Sequence, residues 1–126
     1  MVRGFSFSLH CDIVRIPSKK GGGTIAKKKK VEGGDILYQA ILGLEDLEEC
    51  RRFFMDLCTV NELQAFEQRF QVALLLDEGL IYNDIMERTR ASSATISRVN
   101  RSLQYGNGGY EKVLPRLREK MKHGEL

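Results

Sequence analysis

From Asp35 onward, apolar residues recur at the helical period. Leu37, Tyr38, Ile41 and Leu42 stand at i, i+1, i+4 and i+5, one face of a first helix with Asp35 placed as its N-cap. Gly43 weakens the end of that helix. Glu45 to Glu49 then put acids into the first turn of a second helix, where the macrodipole favours them. Its apolar side is Leu47, Cys50, Phe54, Leu57 and Cys58. Thr59-Val-Asn-Glu62 spells a capping box, in which a Thr N-cap and a Glu three residues on satisfy each other's orphan amides. The helix it opens runs through Leu63, Phe66, Phe70 and Val72 to Leu76, and stops at Gly79. Its first half is apolar at helical spacing, whereas its second half is apolar nearly all round. Such a helix must be covered on every side. Two arrangements supply that cover: a dimer whose chains wrap around each other, or a buried central helix in a monomeric bundle.

Beyond Gly79 the pattern shortens. A brief helix from about Tyr82 to Thr89 has Ile85 and Met86 as inward positions. A tight turn follows at Arg90-Ala91-Ser92, where small Ala91 lets two helices approach closely. Ser92 or Ser93 caps a second helix, with Ile96, Val99 and Leu103 inward at i, i+3 and i+7. The outer face of this helix is Ser93, Thr95, Ser97, Arg98, Arg101 and Gln104. Short polar groups at one end and cations further along are what a helix needs to enter a major groove and meet the flanking phosphates. A glycine-rich turn, Gly106 to Gly109, leads to a last amphipathic helix carrying Val113, Leu114, Leu117 and Met121 on its apolar side. Strand-like alternation is scarce, so the expected fold is all-α with about six helices.

At 126 residues the chain suits one compact domain. Apolar residues at 42% and charged residues at 29% make it globular rather than disordered. No run approaches the roughly 18–20 apolar residues of a membrane span, and Phe5 to Ile16 contain no clean apolar stretch for a signal peptide. Cys11, Cys50 and Cys58 are odd in number and lack C-x-x-C spacing, so neither a disulfide framework nor a zinc site is expected. A reduced cytoplasmic location follows. The net charge of +3 hides three regions: +6 over residues 1–34, −6 over 35–67 and +3 over 68–126. Within the last, Arg88 to Tyr110 holds Arg88, Arg90, Arg98 and Arg101 and no acid, the footprint of a phosphate-binding surface.

Residues 1–34 are expected to form a flexible basic tail, with Gly33-Gly34 as its joint. A second reading makes residues 1–24 a translated leader. Lys-Gly-Gly can be encoded by a run resembling a ribosome-binding site, with a start near Ile25. N-terminal sequencing of the natural protein separates the two. Enzymatic chemistry finds little to stand on. His10 and His123 lie near opposite ends of the chain, Asp77 and Glu78 face different directions on a helix, and Cys50 and Cys58 sit on apolar faces. No catalytic residue and no cofactor is expected.

The string Ala94-Thr-Ile-Ser-Arg98 followed by Ser102-Leu103, with Thr59 and Arg69 upstream, resembles the Trp repressor superfamily. The likeness is closest to its YerC/YecD branch, through Tyr82-Asn-Asp-Ile85, Ala91-Ser92 and Leu103-Gln-Tyr-Gly106. It spans roughly Leu37 to Leu117. The resemblance implies an intertwined homodimer that represses transcription through a helix-turn-helix at a palindromic site on double-stranded DNA. Residues 35–78 would form the dimer core and 80–104 the reading head. Tyr82, Asn83 and Met86 of the first helix, and Ser92, Ser93, Ala94, Thr95 and Ser97 of the second, would face DNA; Arg88, Arg90 and Arg101 would hold phosphates. An interaction module that keeps the fold but binds a protein or RNA is the competing expectation. The resemblance also implies a pocket for a small effector, matched here by Thr59, Arg69, Arg98 and Ser102. The family's ligand-sensing member has Gly after the second arginine, whereas this chain has Val99. A branched side chain there should invade the indole space at about 1–3 kcal/mol of overpacking. Tryptophan is therefore not the expected effector, and whether another exists stays open.

Overall fold

The computed structural model describes residues 33–126. Up to residue 32, the segment expected as a tail or leader lies outside the described residues. The described residues form six helices and no strand, as the periodicity predicts. None of these helices is long and apolar enough to cross a membrane.

The chain divides after Leu42 into two units. The described part of the first is α1 (Gly33–Leu42). It begins two residues before the expected cap, so Asp35 lies in its first turn and Gly33-Gly34 belong to the helix rather than to a joint. The first turn has no intrahelical partners for its N–H groups, and glycine is tolerated there more readily than in a helix interior. Ile36, Leu37, Tyr38 and Leu42 are exposed.

The second unit holds α2 (Leu47–Leu57), α3 (Val60–Asp77), α4 (Tyr82–Thr89), α5 (Ser93–Tyr105) and α6 (Gly109–Lys122). Asp46 caps α2 by accepting the Glu49 amide at 2.8 Å, while the Glu49 carboxylate accepts the Glu45 amide at 2.8 Å. The capping box of α3 is fully formed. Thr59 Oγ1 accepts the Glu62 amide at 3.2 Å, and Glu62 Oε2 accepts the Thr59 amide at 2.8 Å. At its other end α3 closes in a Schellman motif. The Gly79 amide donates to Leu76 and the Leu80 amide to Leu75, which requires the left-handed φ of 86° that Gly79 adopts.

α3 is the helix on which α2, α4 and α5 all pack. The core is Val72 and Ala73 of α3, Ile85 of α4, Ala91 of the turn, and Ile96 and Val99 of α5, all buried. Leu75, Leu76, Leu80, Tyr82, Leu103 and Tyr110 close over it. α6 adds buried Leu114, a Tyr110 ring stacked on Phe70 at 6.5 Å, and an Arg118–Asp77 ion pair. The stretch that reads as apolar all round thus finds part of its cover within the chain. The uncovered apolar side chains are elsewhere. α2 has no buried residue, and Leu47, Met55, Leu57, Val60 and Phe66 are exposed.

One inward position differs from expectation. Ile85 is fully buried, but Met86 is exposed. The inward line of α4 runs Tyr82, Ile85, Thr89 at i, i+3 and i+7, and Met86 lies about 100° further round the helix.

Candidate nucleic-acid interface

The α4–α5 pair is built around Thr89. This residue is the single buried polar side chain among the described residues. Its hydroxyl donates to the Ile85 carbonyl at 2.7 Å and accepts the Ala91 amide at 3.2 Å, and so ties the end of α4 to the turn. Gln68 of α3 donates through Nε2 to the Thr89 carbonyl at 3.1 Å, pinning that turn to the central helix. Arg90 ends α4 in the left-handed conformation, φ 58° and ψ 15°, with its amide bonded to Met86 O at 2.8 Å. Ala91 is buried where the helices meet, in line with the need for a small residue.

Of the two candidate caps it is Ser92 that serves α5. Its Oγ accepts the Thr95 amide at 3.2 Å and lies 3.0 Å from the Thr95 hydroxyl. Ile96 and Val99 point into the core, which leaves Ser93, Ala94, Ser97, Arg98 and Arg101 on the exposed side of α5. Asn83, Met86, Arg88 and Arg90 are exposed on α4 and the turn. Thr95 is half-buried, as is Tyr82, whose hydroxyl accepts from Asn100 Nδ2 at 3.1 Å. Tyr82 therefore ties α4 to α5.

Among the described residues, ion pairs join Glu48 to Arg51 and Arg52, Asp77 to Arg118, and Glu119 to Lys122 and His123. Arg88, Arg90, Arg98 and Arg101 take part in none of these. Four guanidinium groups on the helix pair and its turn form no ion pair among the described residues, although Asp84 and Glu87 lie on α4, and are placed to meet an anion.

Each candidate effector residue has its own surroundings within the chain. Thr59 is occupied as a cap. Arg69 lies over the Phe66 ring at 5.1 Å. Ser102 donates to the Arg98 carbonyl of its own helix at 3.2 Å, and Arg98 is exposed. Val99 is 3% exposed and packs with Val72, Ala73, Ile85, Ala91 and Ile96. A groove of about 340 Å³ beside α5 takes Ser102 alone from this set, with Phe70, Gly106, Asn107, Gly109, Tyr110 and Val113.

Three polar residues that hold the head together are not evident from motif and spacing: Gln68, Thr89 and Asn100. A signal for two of them was present. Gln68 stands four residues before buried Val72, and Asn100 four after buried Ile96, so each is a polar group on an inward stripe and needs a partner there.

A short helix, a tight turn and a second helix with an exposed polar face, docked on a long central helix, define a helix-turn-helix protein of all-α architecture. The chain belongs to the Trp repressor family, whose model, described as Trp repressor protein, matches residues 32–118. It is 56% identical over 85 residues to YerC of Bacillus subtilis (strain 168), a protein described as uncharacterized, covering 68% of this chain and 82% of that one. It is also similar to the crystal structure of a candidate Trp repressor of Staphylococcus aureus. The TM-score is 0.66 at 49% identity, over 75% of this chain and 96% of the other. A TrpR-like protein of Eubacterium eligens ATCC 27750 superposes with a TM-score of 0.65 at 54% identity, over 70% of this chain and 93% of that one.

Proposed function

We propose that this chain is a sequence-specific DNA-binding regulator of transcription that represses as a homodimer, with α4 and α5 as the reading head of each subunit. The observation that carries this reading is the exposed face of the head. Small and hydroxyl side chains at Ser93, Ala94 and Ser97 are bordered by Arg88, Arg90, Arg98 and Arg101, which form no ion pair among the described residues. Short groups near the N-terminal end of α5 suit a major groove, and the arginines of α4, the turn and α5 suit the phosphates on either side. Membership of the Trp repressor family supports the same conclusion. The exposed apolar side chains of α2 and the first half of α3 support a dimer, in which two heads meet half-sites about 34 Å apart.

The regulator needs no tryptophan. Val99 is packed in the core at the position where the ligand-sensing relative has glycine. A ligand shifts an equilibrium only by its differential affinity for the two states. For tryptophan we expect that difference to be close to zero, because a branched side chain replaces glycine at Val99.

Selection from a pool of random duplexes, followed by titration of the enriched sequence at rising salt, tests the proposal. A palindromic sequence should emerge, and log affinity should fall linearly with log salt. Failure to retain any duplex at low salt overturns it. Retention of RNA or of a protein in its place identifies the interaction-module alternative.

A further inference from the structure

The geometry points to Arg90 as a DNA-phosphate anchor that the fold keeps at the expense of its own stability. The inference rests on the DNA-binding reading above and adds to it a trade between folding and binding at one residue. Among the described residues Arg90 is the sole non-glycine with a positive φ, at 58°. The other left-handed positions, Gly79, Gly108 and Gly124, all carry glycine. Gly79 and Gly124 make the comparison direct, because each also follows a helix end. A Cβ in this conformation crowds the neighbouring carbonyl oxygen, which is why helix ends of this kind usually carry glycine or asparagine. At the end of α4 the chain instead carries one of its bulkiest side chains.

Among the described residues no hydrogen bond or ion pair accounts for that choice, and the Arg90 side chain is exposed. Its charge does favour the C-terminus of α4, but Arg88 already supplies a cation in that last turn. What Arg90 has that glycine lacks is an extended guanidinium in the turn, two residues from the cap of α5. Strain held at a residue that contributes little to the fold is the pattern found at binding sites.

Arg90→Gly, Arg90→Ala and Arg90→Lys in the full chain separate the two effects. Thermal melting is measured, and so is binding to a mixed-sequence duplex of about 40 base pairs across a salt series. Glycine and alanine remove the same charge, so both should weaken binding alike and flatten the salt slope by about one unit per subunit. Only glycine takes the left-handed conformation without strain, so it should melt about 3–5 °C above both alanine and the parent. Lysine should restore the slope while melting no higher than the parent. A glycine variant that binds as tightly as the parent, or that melts no higher than the parent, overturns the inference and leaves DNA binding untouched. A parent chain that binds no duplex at any salt overturns both.

Discussion

Val99 carries the proposal that this chain dispenses with tryptophan. It is buried against α3 and α4 in the middle of α5, and its removal has two consequences that add. Val99→Gly opens a void in the core and puts glycine inside a helix, which together should cost about 3 kcal/mol, read as a lower denaturant midpoint. In the unmodified chain, millimolar tryptophan should change neither the melting temperature nor DNA affinity. Calorimetry showing micromolar binding of tryptophan would defeat the argument from Val99. Arg101 is a simpler case. It is exposed, outside the core and in none of the ion pairs of the described residues. Arg101→Ala should leave the melting curve in place and lower the salt slope by about one unit for each phosphate left without its cation.

At the level of the helices, capping was readable in the sequence because its chemistry is local. Thr59 and Glu62 are three residues apart, and so are Ser92 and Thr95; nothing distant is needed for either pair to bond. The Glu62 carboxylate is held below the usual carboxylate range, first by the Thr59 backbone amide and then by the Thr59 side chain. A depressed folded pKa contributes stability above the ordinary Glu range and loses it as pH falls through the folded value. The first turn of α3 should therefore fray in acid, seen as faster exchange of the Glu62 and Leu63 amides. Thr59→Ala should cost about 1 kcal/mol at neutral pH. The Gln68–Thr89 bond is of the other kind, since its partners are 21 residues apart and on different helices. Gln68→Ala should cost about 1 kcal/mol. It should also raise exchange at Arg90 and Ala91 before the interior of α3 responds. Equal loosening along all of α3 would mean that Gln68 does not tie the head in particular.

Among the described residues the apolar surface is unevenly covered. The core of α3, α4 and α5 is closed, whereas no residue of α2 is fully buried, and Leu47, Met55, Leu57, Val60 and Phe66 remain open to solvent. Exposed apolar residues in such numbers on neighbouring helices mark an interface. Sedimentation at micromolar concentration should give a dimer whose unfolding midpoint rises with protein concentration. A folded monomer under those conditions would rule out the proposed intertwined dimer.

The sequence alone determined what depends on short range: six helices from apolar periodicity, the caps of α3 and α5 from Thr59 and a serine at 92 or 93, and the helix-turn-helix from small Ala91 between two amphipathic segments. It also carried the arginine-rich, acid-free window, because charge can be counted without coordinates. Tertiary structure decided the rest. That Met86 faces outward follows from which three residues of an eight-residue helix meet α3, a choice the helical period leaves open. That Gln68, Thr89 and Asn100 join the helices of the head follows from hydrogen bonds closing across 18 to 21 residues of chain, from Gln68 to the Thr89 carbonyl and from Asn100 to the Tyr82 hydroxyl. That Arg90 takes a glycine's backbone conformation follows from the angle at which α4 and α5 must close over buried Ala91, which the identity of an arginine does not disclose.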